Sequence, residues 1–143
     1  MKVERVVSSV EYGTAGDCIT LDYDARHRRR IALTSDGGTA FLLDLPAAMH
    51  LRQGDGLLLE NGTVIAVKAS PEPLIDVRGR DQTHLSQLAW HLGNRHLPAQ
   101  IEAHRILIRR DHVIAGMLLQ RGALTREVVE PFDPEGGAYA HEH

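Results

Sequence analysis

Over residues 1 to about 70 the apolar positions come in short bursts between turn residues, and no helical period outlasts a single turn. Ile31-Ala32-Leu33-Thr34 and Thr39-Ala40-Phe41-Leu42-Leu43 flank Asp36-Gly37-Gly38. Leu57-Leu58-Leu59-Glu60 and Thr63-Val64-Ile65-Ala66-Val67 flank Asn61-Gly62, the strongest short hairpin signal a sequence can carry. This half is predicted to be all-β. Ser70-Pro71-Glu72-Pro73 then breaks both kinds of pattern, and two prolines one residue apart favour a stiff, extended connection. A domain boundary is placed there.

The second half has a different grammar. Leu74-Ile75-Asp76-Val77 reads as a strand. Asp81 can cap a helix whose apolar positions Leu85, Leu88, Ala89 and Leu92 recur at helical spacing. Gly93 or Asn94 is expected to take the left-handed conformation that ends it. Ala99 to Glu102 and Ile106 to Arg109 read as two strands. Asp111 can cap a second helix, with Val113, Ile114, Met117 and Leu118 expected to face inward and Gly122 to stop it. Leu124 to Phe132 is a last strand. The order βαββαβ is the ferredoxin-like split arrangement, so the fold class is α+β: a β-rich N-terminal domain over 1–70, then a ferredoxin-like domain over 71–132. Residues 133–143, DPEGGAYAHEH, are expected to form a flexible tail.

Composition narrows the class. The chain has 143 residues, 43% hydrophobic and 24% charged, which fits one ordinary domain or two very small ones. Aromatic residues make up only 4%, so Leu, Val, Ile and Ala must build the core. No run approaches the ~20 apolar residues of a membrane span, and Met1-Lys2-Val3-Glu4 opens no secretory signal, so a cytoplasmic location is expected. Cys18 is alone and cannot form an internal disulfide. A formal charge of -3 argues against nucleic acid as a partner. The basic block Arg26-His27-Arg28-Arg29-Arg30 reads as a solvated turn or strand edge whose like charges discourage edge pairing, with docking of an acidic protein as the alternative.

The candidate chemistry lies in the histidines. His96 leaves the end of the first helix between Gly93-Asn94 and Pro98, and Leu97, preceding proline, is pushed to an extended conformation. Carbonyls at a helix C-terminus give it a partial negative charge that favours a nearby cation. Imidazole suits nickel, copper and zinc. One histidine is a weak ligand, but a two-fold dimer could bring two copies of His96 together. His112 opens the second helix, where the dipole keeps its ring neutral and ready to ligate while repelling the ion itself. The structural alternatives are a capping or core role for His96 and cover of the helix start for His112. His141 and His143 could close over a metal held by His96. His84 and His91 share a helix face and read as surface or interface residues; Glu102 and His104 offer at most a peripheral contact; His27 and His50 have no evident partner. No nucleophile–base pair, phosphate loop or His-Glu-x-x-His pattern is present, so an enzyme is not expected.

These residues resemble the UreE family of urease accessory proteins, nickel metallochaperones, over nearly the whole chain. The resemblance runs from Leu21-Asp22-Tyr23-Asp24-Ala25-Arg26-His27-Arg28-Arg29-Arg30, through His91-Leu92-Gly93-Asn94-Arg95-His96-Leu97-Pro98 and Asp111-His112-Val113, to Pro131-Phe132-Asp133-Pro134-Glu135-Gly136-Gly137-Ala138-Tyr139. It implies an N-terminal domain for partner docking and a C-terminal domain for metal binding and homodimerisation, with His96 of each protomer meeting at the interface. His112, His141 and His143 are implied as further ligands. Nickel would pass through the GTPase UreG and the other accessory proteins to apo-urease. Some relatives carry long histidine tails and a histidine at the position of Arg110; this chain has neither, which weighs against ion storage and a peripheral site. Cu(II) should bind at least as tightly as Ni(II), and Zn(II) can compete. The competing reading is a protein-interaction scaffold with structural histidines.

Overall fold

The computed structural model describes residues 1–135 and divides the chain into two compact units, Met1–Ser70 and Pro71–His143. The fold is mixed α+β. In the first unit, β1 (Val3–Val7), β5 (Gly56–Leu59), β6 (Val64–Ala69) and β2 (Asp17–Leu21) form one sheet in the order β1-β5-β6-β2. β3 (His27–Thr34) and β4 (Ala40–His50) form a two-stranded ribbon. Both predicted hairpins are present, with Leu33 opposite Phe41 and Leu57 opposite Ile65. Gly62 takes φ 88, a left-handed turn conformation that a β-carbon disfavours. The Asn61 side chain accepts from Thr63 N at 3.1 Å and holds the same turn. Alternation along the strands sends Phe41, Leu43, Leu57, Leu59, Ile65 and Val67 into one core.

The all-β expectation for this half needs one correction. A single-turn helix, α1 (Ser9–Tyr12), follows β1, and Ser8 Oγ caps it by accepting from Glu11 N at 3.3 Å. Ser8-x-x-Glu11 has the spacing of a helix start, a local signal the short apolar bursts hid. The basic block also differs from expectation. Arg26 is fully buried at the end of a 3-10 turn over Asp24–Arg26. Its Nε donates to Leu51 O at 3.1 Å and its Nη1 to Leu21 O at 2.9 Å. Only Arg28, Arg29 and Arg30 are the exposed strand edge the sequence predicted.

The second unit follows the predicted element order: β7 (Pro71–Arg78), α2 (Gln82–Gly93), β8 (Gln100–Ile101), β9 (Ile106–Arg109), α3 (His112–Gln120) and β10 (Leu124–Pro131). The sheet is antiparallel in the order β10-β7-β9-β8, so the first and last strands pair and the two crossover helices pack from α2 and α3. Pro71 and Pro73 do not interrupt pattern as expected. They lie within β7, which pairs with β10 from Pro71 opposite Pro131 to Arg78 opposite Leu124. Ile75, Val77, Ile106 and Ile108 meet Leu85, Leu88, Leu92, Ile114 and Leu118 in one core. Val113, expected inside, is 62% exposed. Consecutive helix residues lie about 100° apart, so with Ile114 and Leu118 fixing the inner stripe their neighbour turns outward.

Candidate metal centre

Asp81 starts α2 by accepting from His84 N at 2.8 Å. At the other end Asn94 N donates to Trp90 O, Arg95 N to Leu92 O and His96 N to Gly93 O, each at 3.1 Å. Gly93 remains helical and Asn94 keeps a right-handed φ of -68, so neither residue reverses the chain as predicted. That conformation falls on His96, at φ 57, the one non-glycine residue with positive φ among those described. Its side chain is exposed. The imidazole therefore leaves the carbonyl end of α2 from a backbone setting that restricts where it points.

His112 is the first residue of α3 and is also exposed. Asp111 caps this helix as expected, accepting from Val113 N at 2.9 Å and Ile114 N at 3.2 Å. An open cleft of about 610 Å³ is lined by His112, Val113 and Met117 together with Arg95 and Arg121. Two guanidinium groups and the positive end of a helix dipole surround His112, an environment that opposes a cation. Arg95, the neighbour of His96, and His112 thus share one cleft. His141 and His143 lie outside the described residues. Among the described residues no three or more His, Cys, Asp or Glu side chains gather in a metal-binding group.

The remaining histidines divide into structural and surface roles. His84, expected at the surface or in an interface, is only 4% exposed. Its Nδ1 accepts from Arg80 N at 3.0 Å, which leaves Nε2 to donate to Arg121 O at 2.8 Å. It ties the start of α2 to the end of α3. His91 is half-buried, and its Nε2 lies 2.9 Å from Arg121 Nη1. Burial first, then the Arg121 and Arg95 charges, hold its pKa below the ordinary 6.5. His104 is exposed, while Glu102 is taken by Arg105 at 3.0 Å and does not join it. Arg110 donates to Leu74 O and Val128 O, which makes it a stitch between β7 and β10. His27 and His50, without an evident partner in the sequence, stand opposite each other on β3 and β4. Extending the Ile31–Leu43 register without a break would have set His27 against Ala47; a register shift between Arg28 and Arg30 sets it against His50 instead.

Comparison with known proteins agrees across both units. The family model described as UreE urease accessory protein, N-terminal domain, matches residues 13–70, and its C-terminal counterpart matches residues 72–143. The urease accessory protein UreE of Chelativorans sp. (strain BNC1) is 60% identical over 136 residues, covering 94% of this chain and 86% of that relative. UreE of Rhodopseudomonas palustris (strain HaA2) is 58% identical over 129 residues, 90% of this chain but 60% of the relative. This chain therefore spans little more than half the length of some relatives it matches. UreE of Mesorhizobium japonicum is 48% identical over an alignment of 147 residues, covering 99% of this chain. With both halves matched in order and these identities sustained along the chain, the protein belongs to the UreE family of urease accessory proteins, which are not enzymes.

Proposed function

We propose that this chain carries Ni(II) for assembly of the urease active site and holds the ion between the two His96 side chains of a homodimer. The observation that carries this reading is His96 itself, an exposed imidazole held at φ 57 on the carbonyl end of α2. An isologous interface repeats every ligand, so one such residue per protomer becomes a pair. α2 and α3 leave Trp90, Val113 and Leu119 exposed, apolar area that a second copy of the unit would cover. His141 or His143 and water complete the shell, and His112 is a weaker, outlying ligand because Arg95 and Arg121 flank it. A shell with few protein ligands suits a carrier, since the ion must leave as readily as it arrives.

The first unit serves as the docking domain, and the ion passes with UreG and the other accessory proteins to apo-urease. Copper should bind the same imidazoles at least as tightly as nickel, and zinc competes. Selectivity then rests on metal supply and partner contacts. The test is activation of apo-urease at limiting nickel in the presence of the accessory GTPase. The intact chain should raise the activated fraction, and His96→Ala should not, while still assembling with the partners. Equal activation by His96→Ala would leave a scaffold role in place of nickel carriage.

A further inference from the structure

We propose that His27 and His50, facing each other across β3 and β4 in the first unit, form a divalent-cation site for an imidazole-preferring ion of the Ni(II), Cu(II), Zn(II) class. Their ring centroids lie 5.6 Å apart with the planes inclined at 59°. With metal–nitrogen bonds of about 2.0–2.1 Å, two imidazoles sharing one ion at a tetrahedral or wider angle place their centroids roughly 5–6 Å apart. The observed spacing falls within that range.

The pair is also fixed in advance. His27 follows Arg26 and His50 precedes Leu51, and both of these neighbours are fully buried. Leu51 N donates to Arg26 O at 2.8 Å, and Arg26 Nε donates to Leu51 O at 3.1 Å, so the two strands are clamped directly beside the histidines. Tyr23 packs on the His50 ring at a centroid distance of 4.5 Å. Ligands whose backbone and rings are already restrained lose little freedom on binding, which favours affinity. The register shift beyond Arg28 is what brings the rings opposite one another, and such irregularities commonly re-aim side chains at sites.

The buried Arg26 guanidinium beside the pair opposes an ion, whereas the other arginines of the block oppose it little. Successive strand side chains alternate faces, so Arg28 lies on the face away from His27. Arg30 is 3.3 Å from the Asp44 carboxylate, and Arg29 is exposed, where water and salt screen it. Among the described residues no group of three or more His, Cys, Asp or Glu includes the pair, so water is the ligand that completes the shell and the site exchanges its ion readily. It is built from residues independent of His96 and does not rest on the nickel-carrier reading.

The experiment is a Cu(II) titration of the full chain followed by amide NMR, with His96→Ala, His27→Gln and His50→Gln variants. Paramagnetic loss of the Arg26–Arg28 and Met49–Arg52 signals is expected at substoichiometric copper, unchanged in His96→Ala and abolished in His27→Gln. His50 is the more enclosed of the two rings, so unaltered Phe41–Leu45 amide positions establish that His50→Gln still folds; His27→Gln decides the question in any case. Signals near both histidines that persist at saturating copper would overturn the site. So would a loss that survives His27→Gln. Signal loss around Gly93–Leu97 reports the other centre separately, so the two readings can fail independently.

Discussion

A left-handed φ at a residue with a β-carbon is sparsely populated, and His96 holds one at the candidate ligand position. Glycine there would relieve about 1 kcal/mol of backbone cost while loosening the unfolded chain by a similar amount. His96→Gly is therefore expected to leave the thermal midpoint nearly unchanged and to remove tight nickel binding, as calorimetry on both proteins would show. A large loss of stability instead would mean that the side chain is structural. Arg26 presents the opposite case. Its guanidinium serves the Leu51 and Leu21 carbonyls inside the first unit. Arg26→Met leaves these acceptors buried, and a destabilisation of about 3 kcal/mol is expected from urea unfolding. The position of His96 was legible in the sequence because glycine, asparagine and proline punctuate it. Arg26 and His84 were not legible, since their partners are backbone carbonyls that only the tertiary fold brings near.

Between elements, the firmest polar link is at Asp76 on β7, whose side chain is fully enclosed. It accepts from Arg78 Nε at 3.1 Å, Arg105 Nη1 at 3.3 Å and Arg126 Nη2 at 3.4 Å, joining β7 and β10 to the turn before β9. Burial pushes its pKa up, but the Arg78 and Arg105 guanidinium groups outweigh this and hold it below the ordinary 3.8. Glu130, bonded to Arg105, is likewise held below 4.5. The unfolded chain then takes up protons before the folded one, so stability from these groups is complete above those values and is lost as pH falls below them. Asp76→Asn removes the charge-assisted hydrogen bonds from Arg78 and Arg105, while Arg105 keeps Glu102 and Glu130, and should cost about 1–3 kcal/mol at neutral pH, with a shallower acid limb. His91 acts in the same direction at higher pH. Its lowered pKa means that its contribution is complete above 6.5 and declines as pH drops from there toward the native value. His91→Gln should flatten thermal stability between pH 7 and about 5, and an unchanged profile would remove His91 from the account. The caps at Asp81 and Asp111 and both hairpins were readable as local chemistry. The β3–β4 register was not, because its break depends on how residues 45–48 leave the ladder.

On the scale of the whole molecule, hydrophobic periodicity carried the change from short strands to βαββαβ at the prolines, although those prolines turned out to start a strand. Val113 turns outward because Ile114 and Leu118 fix the inner stripe, and the cleft beside His112 takes Arg95 and Arg121 from separate segments, a juxtaposition that only the tertiary fold makes. The central claim is that two protomers share one ion through His96. The decisive measurement is a nickel titration by calorimetry on the intact chain and on His96→Ala, with molar mass followed by light scattering. One tight ion per dimer, lost in His96→Ala while the fold is kept, is the predicted result. Equal tight binding by both proteins, or one tight ion on each monomer, would contradict it.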